Sequence, residues 1–234
     1  MRFCFDCGPL ALGVRERHGV VTVPLHTVNT LPPVHTVVVR VWLPDRPGAL
    51  GQVASRIGAV RGDVLAIEIL EIGGGRVIDE LVVALPDEHL VDLMVNEVHA
   101  IDGVSVEHVR ATDDASVDLS ALSLSVAADL AESDAGDRLA MFTRGVVRLT
   151  EADWVLVSRD GEVIASEGEV PSVDWVSSLL AGSSHLDPHA NSSDMFWSDL
   201  PRSGIWVAAG RDGRTVHDRE RLRLDLYARI ADAI

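Results

Sequence analysis

The stretch Leu43-Pro44-Asp45-Arg46-Pro47-Gly48-Ala49-Leu50 constrains this chain more than any other. It joins a run with the composition of a buried strand, Thr36-Val37-Val38-Val39-Arg40-Val41-Trp42, to a run in which Leu50, Val53, Ala54 and Ile57 recur at helical spacing. A chain that leaves a strand through Pro-Asp-Arg-Pro-Gly and enters a helix brings the free N–H groups of that helix beside the turn. Those groups favour an anion. Pro47 sets φ for a first helical turn without losing a needed donor, and Asp45 stands where a cap is expected. Gly48 lacks a Cβ, so a ligand could approach that backbone closely. The turn suits a small molecule carrying a carboxylate.

The rest of the region around this turn sets a fold class. Residues 64–72 are rich in β-branched and aliphatic side chains, and Gly73-Gly74-Gly75 reverses them into residues 77–84. Pro86 and Asp87 then open a helix with Leu90, Val91, Met94, Val95 and Val98 on one side, and Ile101-Asp102-Gly103 turns into a last strand over 104–109. Strand, helix, strand, strand, helix, strand is the βαββαβ, ferredoxin-like arrangement, an α+β fold with both helices on one face of four antiparallel strands. The other face then needs cover, so self-association through residues 34–110 is expected. Glu68, Glu71, Asp79 and Glu80 fall on the two central runs and are expected to face water, with a dimer-facing role as the alternative.

Residues 34–110, with Asp45-Arg46-Pro47-Gly48-Ala49-Leu50 at the turn and Gly62-Asp63-Val64 before the second strand, resemble the ACT domain, a regulatory module that usually binds amino acids. The family pattern has Asp-Arg-Pro-Gly-x-Leu at the first position and commonly Gly-x-Asn-Ile at the second, where this chain has Asp63. The resemblance implies a ligand held where one chain's turn meets the second strand of a partner chain. The backbone of Gly48 and Ala49 would then hold the carboxylate, with Asp45, Arg46 and Pro47 shaping the turn. Asp63 could take the ammonium group, and Leu43, Leu50 and Val64 would form an apolar wall.

Residues 1–33 lack sustained periodicity and end in Leu31-Pro32-Pro33, so they read as a poorly ordered arm, or in part as an over-long translation start. Residues 111–118 read as a polar linker. Beyond it, residues 119–234 show helical stretches over 119–131 and 137–149, and a hairpin of 154–158 with 163–165 about Asp160-Gly161. A short helix marked by Val173, Val176, Leu179 and Leu180 follows, then a strand over 205–209. The closing helix carries Leu222, Leu226, Tyr227, Ile230 and Ile234. Ala152-Asp153-Trp154, the Asp160-Gly161 hairpin and Ala209-Gly210-Arg211 resemble parts of a GAF domain, which implies a second small α/β domain that dimerises or transmits.

Charge and composition exclude several function classes. The formal net charge is −16, and all 20 basic residues are arginine, which rules out a Schiff-base or P-loop lysine. An acidic chain without a basic run repels phosphate backbones, so no nucleic acid is expected as a partner. No segment approaches the roughly 18–20 unbroken apolar residues of a membrane span. The first residues, with Cys4, Asp6, Cys7 and Glu16, lack a secretion pattern, and two cysteines without a spacing framework suit a reducing cytoplasm.

The sequence offers little to an enzyme. Cys4-x-x-Cys7 has only scattered His18, His26 and His35 to complete a metal site, and is read as an incidental pair. His185-Leu186-Asp187-Pro188-His189 is read as a solvated loop, because Pro188 breaks the helical spacing that would join the imidazoles. No Gly-x-Ser-x-Gly elbow occurs. The expectation is a cytoplasmic, non-enzymatic sensor or allosteric regulator that binds an amino acid and needs no cofactor or metal. It would be a homodimer, with a further protein partner downstream. The alternative is a ligand-free, ACT-mediated assembly partner or a regulatory subunit of an amino-acid-metabolism enzyme.

Overall fold

The structure is a computed structural model that describes residues 35–112, 118–183 and 194–234, all within one compact unit. Each half of that unit is built on its own four-stranded antiparallel sheet. Arm 1–33, Cys4, Cys7, most of the 111–118 linker and the His185–His189 motif lie outside the described residues.

The first half runs β1 (His35–Pro44), α1 (Ala49–Ala59), β2 (Asp63–Gly73), β3 (Arg76–Leu85), α2 (Val91–His99) and β4 (Ser105–Ala111). Its strand order is β2–β3–β1–β4, the ferredoxin-like order expected from the periodicity. Alternate residues Val37, Val39, Val41 and Leu43 of β1, with Leu81, Val83 and Leu85 of β3, point at the helices. They meet Ala49, Val53 and Ile57 of α1 and Met94 and Val98 of α2. Each such valine, leucine or isoleucine contributes about 1.5–3 kcal/mol relative to exposure. Gly74 and Gly75, at φ 58° and 75°, form the two-residue turn between β2 and β3 that only residues tolerant of positive φ allow.

The second half runs α3 (Leu119–Glu132), α4 (Arg138–Thr150), β5 (Trp154–Arg159), β6 (Glu162–Gly168), α5 (Val173–Ser183), β7 (Met195–Leu200), β8 (Ile205–Gly210) and α6 (Asp218–Ala233). Its order is β6–β5–β8–β7. Asp118 caps α3, its Oδ1 accepting from Ser120 N at 2.9 Å and Ala121 N at 3.2 Å. Residues of α3, α4 and α6 pack on one sheet face around Phe142, Val146, Leu224 and Tyr227, and Val176 and Leu180 of α5 pack on the other. Two features differ from the sequence reading. Strand β7 was not expected, although Met195-Phe196-Trp197 and the Pro201–Gly204 turn mark it. Helix α6 buries Glu220, Leu224, Tyr227 and Ala228, while Leu222, Leu226, Ile230 and Ile234, whose spacing suggested the core face, are exposed. The helix has two apolar stripes, and periodicity alone does not say which one the sheet receives.

Part of the open face of the first sheet is covered by the same chain. Thr215 and the start of α6 lie over it. Arg40 of β1 donates through Nη1 to Thr215 O at 2.9 Å, through Nε to Glu80 at 2.6 Å and through Nη2 to Glu220 at 2.6 Å. Glu220 also accepts from Arg211 Nη2 at 2.7 Å and from His217 N at 2.9 Å. Glu68 takes Arg223 at 2.6 Å, and Glu71 takes His217 at 3.1 Å. Glu68 and Glu71, both expected to face water, are therefore partners of α6 and its N-cap, and Glu80, the third, shares Arg40 with Glu220. The fourth, Asp79, pairs with Val41 in register and lies on the helix side at 2% exposure, its Oδ1 without a partner. Burial raises its carboxyl above the usual range.

Candidate ligand-binding site

The turn after β1 is held by backbone bonds. Asp45 N donates to Gly75 O at 2.9 Å, which ties the turn to the β2–β3 hairpin, and Ala49 N donates to Arg46 O at 3.2 Å. The helix begins at Ala49, so Pro47 stands before the first turn rather than in it, and the cap position is Gly48 at φ 86°. No side chain caps it, so Asp45 does not fill the role its position implied. The reason is the left-handed bend at Gly48, which turns the chain into the helix without help from a side chain. The amides of Gly48, Leu50 and Gly51 have no backbone acceptor; the next one, of Gln52, donates to Gly48 O at 3.1 Å. A Cβ at Gly48 would meet nothing within 4 Å, so the glycine is required by its φ, and the space above it is open.

A cleft of about 490 Å³ adjoins this turn. One wall is the flank of α1, where Gly48, Gly51, Gln52 and Ser55 follow helical spacing. The other is Ala100, Ile101 and Asp102, the turn at the end of α2. Arg46 and Arg56 stand at its rim, Arg46 donating to Gln52 Oε1 at 3.2 Å and Arg56 pairing with Glu97 at 2.8 Å. The cleft thus lies between the start of one helix and the end of another. Their dipoles present positive and negative ends to it, and Asp102 adds a carboxylate at the negative end. A zwitterion meets both requirements in one place.

The residues singled out in sequence separate into two groups. Asp45, Arg46, Pro47, Gly48, Ala49 and Leu50 form the turn and the start of α1, with Arg46 and Gly48 at the cleft. Leu43 and Ala49 are enclosed in the core beneath it, and their side chains support the turn rather than line the cleft. Asp63 and Val64 are elsewhere. They pair with Ala84 and Val83, whereas Pro44 beside the turn pairs with Arg76, eight residues away along β3. That spacing is about 27 Å. A ligand touching both groups would need two chains. Ser55, Arg56 and Asp102 were not picked out in sequence. Ser55 and Arg56 were legible as the same helix flank as Gly48, but Asp102 was read only as a turn residue.

Among the described residues no group of three or more His, Cys, Asp or Glu is arranged to hold a metal ion, and no helix is long and apolar enough to cross a membrane. No protein-family model and no curated protein matches the chain. Among solved structures it is similar to the ACT domain from GTP pyrophosphokinase of Chlorobium tepidum, at 14% identity and a TM-score of 0.27, over 34% of this chain and 86% of that one. It is also similar to an unknown protein from Galdieria sulphuraria, at 13% identity and a TM-score of 0.30, over 76% of this chain and 81% of that one. Neither likeness assigns a role to a residue.

Proposed function

We propose that this chain is a non-enzymatic regulatory protein that binds a free amino acid in the cleft between α1 and the turn after α2. The observation that carries this reading is the meeting of opposite helix ends, with the unpaired amides of Gly48, Leu50 and Gly51 at one and Asp102 at the other. The amides and Arg46 hold the carboxylate, and Asp102 takes the ammonium group. The ACT-like sequence of residues 34–110 points to the same ligand class. Residues 119–234, GAF-like in sequence, receive the signal through α6. One helix-terminus contact contributes about 0.3–1 kcal/mol, so several must combine for millimolar binding at about −4 kcal/mol.

A thermal-shift screen of the twenty amino acids, followed by calorimetry on the best one, tests the reading. One or a few amino acids should raise the melting midpoint. Asp102→Asn should then weaken binding about tenfold or more, since it removes a charged hydrogen-bond partner. Gly48→Val should abolish binding and lower the midpoint, because a left-handed φ costs a β-branched residue about 1–2 kcal/mol. A flat screen rejects the proposal. Intact affinity in Asp102→Asn with loss in Asp63→Asn moves the ligand to a site shared between two chains.

The second reading, an assembly partner without a ligand, is favoured by one surface. Strand β2 is an edge strand, and Leu65, Ile67 and Ile69 on it are exposed, as are Leu124 of α3 and Leu222, Leu226 and Ile230 of α6. An unpaired edge flanked by apolar side chains is complementary to a copy of itself about a two-fold axis. The full chain should sediment at the mass of a dimer at micromolar concentration, and Ile67→Glu should shift it to the monomer. A monomer at every concentration removes both this interface and any ligand site shared between chains.

A further inference from the structure

His217 sits between the open face of the first sheet and the start of α6, 2% exposed, at the cap position of that helix. Its Nδ1 lies 3.1 Å from Glu71 Oε2 of β2, and its Nε2 lies 2.9 Å from Glu107 Oε2 of β4. Glu71 and Glu107 come from the two opposite edges of the first sheet, so the ring spans its open face. Beneath it lies Trp42 of β1, edge-on at 6.1 Å between ring centres. Only the imidazolium has an N–H on both nitrogens. A neutral ring in this place would aim a lone pair at one of two carboxylates, at about 3 Å, whichever tautomer it took.

We propose that His217 is a proton-operated latch between the first sheet and α6: the closed junction requires the imidazolium, and loss of its proton releases the start of α6 from the first sheet. The other charged groups packed around the ring divide into those that oppose and those that favour its charge. Arg40 of β1 and Arg211 after β8 oppose it, but both are engaged by Glu220, and Arg40 also by Glu80 of β3. On α6 itself Glu220 and Asp218 favour the charge, and Arg221 opposes it. His108 of β4 is pushed the other way, to a lower pKa, by burial and by Arg214, Arg40 and Arg110. It therefore loses its proton before His217 does.

The direction of the pH dependence follows. Burial works to lower the pKa of His217, but the bonds to Glu107 and Glu71 outweigh it and raise the pKa above 6.5. A raised folded pKa means that this contribution is fully present below 6.5 and is lost as pH rises through the higher folded value. Burial works to raise Glu107, but His217 outweighs it and holds the carboxyl below 4.5, so its contribution is lost only in stronger acid. The junction is tightest between these limits and opens on the alkaline side. This holds whether or not the cleft beside Gly48 binds an amino acid.

The test uses the full chain. Histidine Cε1–H resonances are followed by NMR from pH 5 to 9, with His217 assigned by its loss in His217→Gln. Hydrogen exchange of peptides covering 104–110 and 215–222 is measured over the same range and corrected for the intrinsic rate. His217 should titrate above pH 6.5. Protection of both peptides should fall through the same midpoint. Glu107→Gln should move the midpoint down, and His217→Gln should abolish the step. Should His217→Gln fail to fold, Glu71→Gln and Glu107→Gln decide by the shift of the midpoint. Titration at or below the ordinary histidine value overturns the latch. So does protection that is independent of pH, or a midpoint unmoved by both glutamate variants.

Discussion

Glu220→Ala should lower the stability of the whole chain by about 3–5 kcal/mol, the cost of removing one partner from a buried ion pair. Glu220 accepts from Arg40 at 2.6 Å, Arg211 at 2.7 Å and the amide of His217 at 2.9 Å. Without it, two guanidinium groups that are almost fully enclosed lose a counter-charge, because Arg40 and Arg211 are 4% and 2% exposed. Burial works to raise the Glu220 carboxyl, but Arg40 and Arg211 overcome it and hold the group ionised well below the usual range. Set against a total of about 5–15 kcal/mol, the loss leaves the chain marginal. Chemical denaturation of the wild type and Glu220→Ala measures it directly. Glu220→Gln, which keeps one of the two acceptor oxygens, should fall between them. A loss under about 1 kcal/mol would mean that water reaches the two arginines and that the network is not desolvated.

The second large effect lies in the other core. Gly145 of α4 faces Tyr227 of α6: a Cβ there would overlap Tyr227 Oη and stand 2.5 Å from its Cζ and 2.8 Å from Val126 Cγ1. Tyr227 cannot yield easily, since it is stacked on Phe142 at 5.3 Å between ring centres and is buried. Gly145→Val should therefore destabilise by about 2–3 kcal/mol, an overpacking cost larger than the gain from removing a helical glycine. Tyr227→Phe deletes the nearest atom and should return part of that loss in the double variant. Full additivity of the two single effects would show that the helices move apart instead.

Much of the first half was legible because its signals are local. The β1–α1 turn, the Gly74–Gly75 reversal and the spacing of Met94 with Val98 each specify a short stretch from its own residues. Their order then leaves one economical sheet. The same logic gave α3 and α4 to within a residue at each end, and the β5–β6 hairpin from Asp160-Gly161. It failed at β7, where a short aromatic-rich strand followed a long polar stretch. It also failed at Asp45, because a left-handed glycine does the work a capping side chain was expected to do. The candidate cleft was half legible. Gly48 announced itself, while Asp102, from a turn more than fifty residues later, reaches the same cleft only through the packing of α2 on α1.

By itself, then, the sequence determined which stretches form strands and helices in the first half, the order of its sheet and the turn at Gly48. Each of these depends on neighbours a few residues apart. The tertiary structure alone decided what covers that sheet and which stripe of α6 is inside. Arg40 and Glu220 are 180 residues apart, and His217 is 110 from Glu107. Acidic residues alternating on a strand look the same whether they meet water or arginine. Leu222, Leu226 and Ile230 likewise look like a core stripe until Leu224, Tyr227 and Ala228 are found inside. Charge pairing and stripe choice are properties of two surfaces brought together, and no local pattern in either surface contains the other.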